Sequence, residues 1–140
     1  MLFVAGDLDL SGGGKAEKLD EKNRRRTVYG FVSRRKLDGM LALFDFPNPN
    51  STSEQRMSTN VPPQRLFLMN SPFIETEAEN LAKKLPDGPP ERKIAAAYER
   101  VFSREPQPEE LKLGEEFLKD ASWKQYARVL LSANEFGFIE

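Results

Sequence analysis

The chain has 140 residues, a formal charge of −1, 39% hydrophobic and 31% charged residues, and neither cysteine nor histidine. That length suits one domain with one modest core. The composition excludes a thiolate nucleophile, a Ser-His or Cys-His pair, zinc held by Cys or His, and haem attached through C-x-x-C-H.

Residues 1–16, MLFVAGDLDLSGGGKA, start with core-type residues and end in a glycine run. They read as the truncated N-terminal remnant of a longer domain. The apolar start is too short for a signal peptide and has neither a basic n-region nor an A-x-A-like site. Residues 17–140 are expected to form a single helical domain in which 44–60 is an ordered polar loop. Within it, TVYGFVS (27–33) alternates weakly and is rich in β-branched and aromatic residues, so a short strand competes with helix there. KLDGMLALF (36–44) reads as a short helix interrupted by Gly39.

After residue 60 the helix signals sharpen. Thr59 or Asn60 can cap a helix whose first turn holds Pro62 and Pro63 and which carries Leu66, Phe67 and Met69 before stopping near Asn70. Ser71-Pro72 opens the next, where Ile74, Ala78, Leu81, Ala82 and Leu85 follow a 3.6-residue period. PDGPP (86–90) ends it. ERKIAAAYERVF puts Ile94, Ala97, Tyr98, Val101 and Phe102 on one stripe. Pro108-Glu109-Glu110 starts a fourth helix with acids at its positive end, and Ser122 caps a fifth bearing Trp123, Tyr126, Ala127, Leu130 and Leu131. The fold class is therefore mainly α: a small antiparallel array of about five helices, a long proline- and asparagine-rich ordered loop, and room for one short strand.

Four patterns bear on chemistry. Asp7, Asp9, Ser11 and Gly12 match the first positions of a calcium loop, but the twelfth position, where a bidentate carboxylate is needed, is Lys18. A plain turn is the better reading, and no metal is expected. KNRRRTVYGFVSRRK places seven Lys/Arg between residues 22 and 36 with no acid. Such a segment can grip phosphates and stack bases on Tyr29 and Phe31. With net charge near zero, pairing with acidic helices and loop carbonyls is favoured over nucleic acid. Among the acids Asp45, Glu54, Glu75, Glu77 and Glu79, the helical Glu75 and Glu79 suit a solvated face. Asp45, between Phe44 and Phe46, suits a turn or an arginine such as Arg56. Asn50-Ser51-Thr52 is a glycosylation sequon, with meaning only in a eukaryotic secretory pathway. No apolar run approaches the ~20 residues that span a bilayer.

Three motifs occur in a fixed order: Phe44-Asp45-Phe46-Pro47-Asn48-Pro49-Asn50; then Arg56, Thr59, Pro62 and Gln64; then Met69-Asn70-Ser71-Pro72-Phe73. With RRRTVYGFV, YERVFSREPQPEEL and the ending W-x-x-Y-A-x-x-L-L-x-x-N-E-F, they cover nearly the whole chain. Together they resemble the C-terminal domain of unknown function in planctomycete and verrucomicrobial cytochrome-c-domain proteins. Arg65 stands where that pattern usually has alanine.

The resemblance implies a C-terminal piece of a larger periplasmic or extracellular surface protein, with a secretion signal and a haem-binding segment upstream. No haem ligand or catalytic residue carries over, so no cofactor is expected in this chain. The implied partners are the upstream domains and a carbohydrate or protein ligand. Asp45, Asn48, Asn50, Arg56, Thr59, Gln64 and Asn70 are then the residues expected to hold or present the polar loop, with Arg56 bridging Asp45 and loop carbonyls. The rival is part of an extracellular enzyme acting on polysaccharide or a related substrate, with the carboxylates Asp45 and Glu54 near Arg56.

Overall fold

A computed structural model of the chain describes residues 1–52 and 62–137. Proline sets the starting points. A proline has no N–H to lose at a helix start and its φ is already helical, and four helices begin on one: α3 (Pro62–Asn70), α4 (Pro72–Lys84), α5 (Pro90–Phe102) and α6 (Pro108–Asp120). Polar caps complete the entries. Ser71 accepts the Phe73 N–H, Glu110 accepts the Gln107 N–H at 2.7 Å, and Ser122 with Gln125 forms a reciprocal box at the head of α7 (Trp123–Leu131).

Three short helices join these five: α1 (Leu2–Ala5), α2 (Gly39–Leu43) and α8 (Asn134–Gly137). The described residues contain no sheet, so the chain is mainly helical, as its sequence indicates. Gly39 does not interrupt α2 but begins it, with the Asp38 carboxylate accepting the Met40 N–H at 2.9 Å. Where a strand competes in the sequence, Thr27–Tyr29 forms a 3-10 turn, flanked by the isolated parallel bridges Asp9–Arg25 and Glu17–Gly30. Two isolated bridges cannot propagate a ladder, so the β-forming residues there close a turn instead.

The chain divides into two compact units: a helical unit of Met1–Leu8 with Leu68–Glu140, and a loop unit of Asp9–Phe67. In the helical unit the predicted stripes of α4, α5 and α7 supply the core, whereas Leu113 and Phe117 of the apolar set expected on α6 are exposed. Ala78 and Leu81 of α4, Ile94 and Ala97 of α5, and Ala127, Leu130 and Leu131 of α7 are buried together with Ala5 of α1. Each large aliphatic side chain removed from water there contributes about 1.5–3 kcal/mol. The most extensive helix pair is α4 with α7, and α5 packs on α6, α7 and α8. On α3, Leu66 and Met69 are exposed, whereas Gln64 and Leu68, one turn apart, are buried.

Gly114 is the buried point of α6. A Cβ there would fall 2.7 Å from the Tyr126 hydroxyl and 3.1 Å from Ile94 Cδ1. Alanine would gain about 1 kcal/mol of helix propensity over glycine, but overpacking a filled core costs about 1–3 kcal/mol. Gly114→Ala is therefore expected to destabilise the fold by up to about 2 kcal/mol. Urea unfolding measures this, and a midpoint at or above that of the parent would mean that the Tyr126 ring can swing aside.

Candidate functional site

The loop unit has few buried side chains, and two of those that are buried are polar: Arg25 and Gln64. Backbone without helix or sheet partners must find other hydrogen bonds, and these side chains supply them. Arg25 donates to the Gly13 carbonyl, to the Lys15 carbonyl at 3.4 Å and to Glu17 Oε1 at 3.1 Å, while its guanidinium lies 4.3 Å from the Tyr29 ring centroid. Arg24 donates to the Glu21 carbonyl at 2.6 Å. These two arginines of the basic segment thus bond loop carbonyls.

The polar loop is tied in the same manner. The Asn48 carboxamide oxygen accepts the Asn50 N–H at 3.0 Å, closing a turn, and Asn50 Nδ2 donates to the Arg34 carbonyl at 2.6 Å. Gln64, 2% exposed on α3, donates through Nε2 to the Leu43 carbonyl at the end of α2, at 2.9 Å. Asp45 follows α2 in the left-handed region at φ 56°, a conformation that aspartate tolerates better than most residues. The Phe44 ring meets Phe67 edge-on, 5.5 Å between centroids. Asn48, Asn50 and Gln64 therefore act within one unit. Asn70 lies exposed at the end of α3. Arg56, Thr59 and Glu54 lie outside the described residues.

Asp7 and Asp9 serve different local purposes. Asp7 Oδ2 accepts from Asn80 Nδ2 at 3.3 Å, and Asp9 Oδ1 accepts the Ser11 N–H at 2.8 Å. That bond holds the Asp9 carboxyl below its usual range. No group of three potential metal ligands gathers among the described residues.

The helical unit carries two charged clusters. Along α4 and α7, Glu75 binds Arg128 and, at 3.1 Å, Lys124, and Glu79 binds Lys83 at 2.6 Å. Glu75 and Glu79 thus lie on a charged face, as their spacing suggests, whereas Glu77 between them is fully buried. The second cluster centres on Arg104. Its fork donates twice to Glu110 at 2.8 Å and twice to Glu135, at 2.7 and 2.8 Å, over the rings of Tyr98 and Phe102. Arg104 holds Glu110 down to about 2 and Glu135 below its usual range. Burial, and then the neighbouring Tyr98, push the Tyr126 phenol up. The Glu110 partner is readable from its capping position; Glu135 is too remote in sequence to be paired with Arg104 by pattern.

A mainly helical chain whose Asn48, Asn50 and Gln64 bond backbone groups of their own unit matches one described family over residues 1–118: PSD1, protein of unknown function (DUF1553). The chain belongs to that family. No curated protein and no solved structure matches it. For this PSD1 chain, no helix among the described residues is long and apolar enough to cross a membrane.

Two predictions follow from these contacts. Gln64→Ala removes a buried donor from the Leu43 carbonyl and should cost about 1–3 kcal/mol, whereas Asn50→Ala at an exposed bond should cost about 0.5–1.5 kcal/mol; thermal unfolding of both variants checks the order. The Arg104 cluster sets a pH dependence. Glu110 ionises at about 2 in the fold against an ordinary 4.5, so the stability it contributes is complete above that ordinary value and is lost as pH falls toward 2. The urea midpoint of Arg104→Ala should lie below that of the parent at neutral pH, and the gap should close under acid. Arg104→Lys, lacking the fork, should fall between them.

Proposed function

We propose that this chain is a non-catalytic structural or recognition module, the C-terminal part of a larger secreted, cytochrome-c-associated protein. The observation that carries this reading is the commitment of Asn48, Asn50 and Gln64 to backbone groups of their own unit. Side chains spent on holding a loop preorganise its surface, and a rigid polar surface can bind a partner without paying to order itself. Membership of a family of unknown function fits either role, and the motif order 44–50, 56–64 and 69–73 is what points to the secreted, haem-bearing parent.

Two experiments test the proposal. Sequencing the genomic DNA on the 5′ side should reveal a continuous reading frame encoding a secretion signal and C-x-x-C-H; an in-frame stop codon directly upstream would sink the cytochrome link. Incubation with soluble polysaccharides should release no more reducing ends than buffer. Release that Asp45→Asn abolishes, with the fold retained by circular dichroism, would establish the enzyme instead.

A further inference from the structure

Between the end of α4 and the face of α5 lies an open cleft of about 320 Å³ lined by Lys84, Leu85, Pro86, Ala96, Glu99 and Arg100. It lies wholly within the helical unit and does not depend on how the polar loop is read. Its two cations converge. Lys84 Nζ donates to the Gly6 carbonyl and Arg100 Nε donates to the Val4 carbonyl at 2.6 Å. A Cβ placed on Gly6 would lie 2.6 Å from Lys84 Nζ and 2.9 Å from Arg100 Nη2, so ammonium and guanidinium flank one point. Like charges held this close repel unless an anion joins them. Elsewhere in this unit Lys83, Lys124, Arg104 and Arg128 are each ion-paired. Lys84 and Arg100 bond carbonyls only, among the described residues.

We infer that this cleft is a binding site for a small hydroxylated monocarboxylate. Three features select that chemistry. Donors remain: Lys84 has used one of its three N–H groups and Arg100 one of its five, leaving both terminal guanidinium nitrogens able to form a fork with a carboxylate. Charge selects the valence: two cations and the Glu99 carboxylate leave a balance of +1, which matches a monoanion and disfavours a dianion such as phosphate. Shape selects the body: Leu85, Pro86 and Ala96 offer an apolar wall, and Glu99 offers acceptors for hydroxyl groups beside it. The volume is at the small end of ligand sites, enough for one ring or a short chain.

The test is a titration of the full chain, followed through its backbone amide resonances, with sodium D-glucuronate, D-glucose and inorganic phosphate as the three probes. Glucuronate should produce saturable shifts at Leu85, Ala96, Glu99 and Arg100, glucose should not, and phosphate should bind more weakly. Arg100→Gln should weaken glucuronate by about tenfold or more, the loss expected for a charge-assisted bond. Because Arg100 also holds the Val4 carbonyl, Glu99→Gln provides a second reading that leaves the contacts to α1 intact. It should tighten phosphate more than glucuronate by removing the repelling charge. Absence of saturable shifts, equal response to glucose, phosphate binding as tightly as glucuronate, or no change of preference in Glu99→Gln would each overturn the assignment.

Discussion

Where α4 meets α7, two short stripes of small and medium aliphatic residues face each other, and the rest of the helical unit is arranged around that contact. Ala78 and Leu81 on one helix and Ala127, Leu130 and Leu131 on the other are all but sealed from water. Alanine at 78 and 127 lets the backbones approach, and leucine fills what remains. No isolated helix of nine to thirteen residues is stable in water, so these two helices persist because each covers the other. The ion pairs from Glu75 to Arg128 and Lys124 lie along the edge of the contact. Pairs as exposed as these add little energy, but they penalise any rotation of one helix past the other.

The loop unit is held by different means. Among its described residues α2 is the one complete α-helix and there is no sheet, and Leu41 is the buried apolar side chain. Polar side chains that reach across the unit to main-chain carbonyls replace the missing ladder. Arg25, Asn50 and Gln64 each span a sequence separation that regular structure would otherwise close. Arginine is suited to this because one planar group can serve several acceptors at once. The cost is sensitivity: a truncated side chain leaves a carbonyl whose replacement partner can only be water.

How much of this was legible in the sequence depended on the range of the signal. Caps, initial prolines and 3.6-residue stripes are local, and they located α4, α5, α6 and α7. Other features rest on longer-range choices. On α3, Leu66 and Met69 are exposed and Gln64 is buried, because the end of α2 offers it a carbonyl. TVYGFVS had the composition of a strand but no second segment to form a continuous ladder with, so it turned. In the loop unit, Asn48 accepts a backbone N–H, and Asn50 and Gln64 donate to backbone carbonyls. Their acceptors at Arg34 and Leu43 could not be chosen without the fold. The Arg104 cluster was half legible: the capping position of Glu110 is a sequence signal, whereas Glu135 arrives through the packing of α8.

The start of the chain shows the same dependence of local order on distant groups. A four-residue helix closes scarcely one turn and cannot offset the entropy of fixing its own backbone. Yet α1 is ordered, with Ala5 fully buried and Gly6 in the left-handed region that ends the turn. Its last carbonyls have no helical successor to bond them. Arg100 takes the Val4 carbonyl, and Lys84 takes that of Gly6 just beyond. A cation at a helix C-terminus is favoured by the partial negative charge that collects there, so the same two side chains satisfy α1 and line the adjoining cleft. The conformation of residues 2–6 is therefore a property of α4 and α5 more than of the residues themselves. Any group that draws Lys84 or Arg100 fully away must also loosen α1, whereas one that uses only their remaining N–H groups leaves it in place.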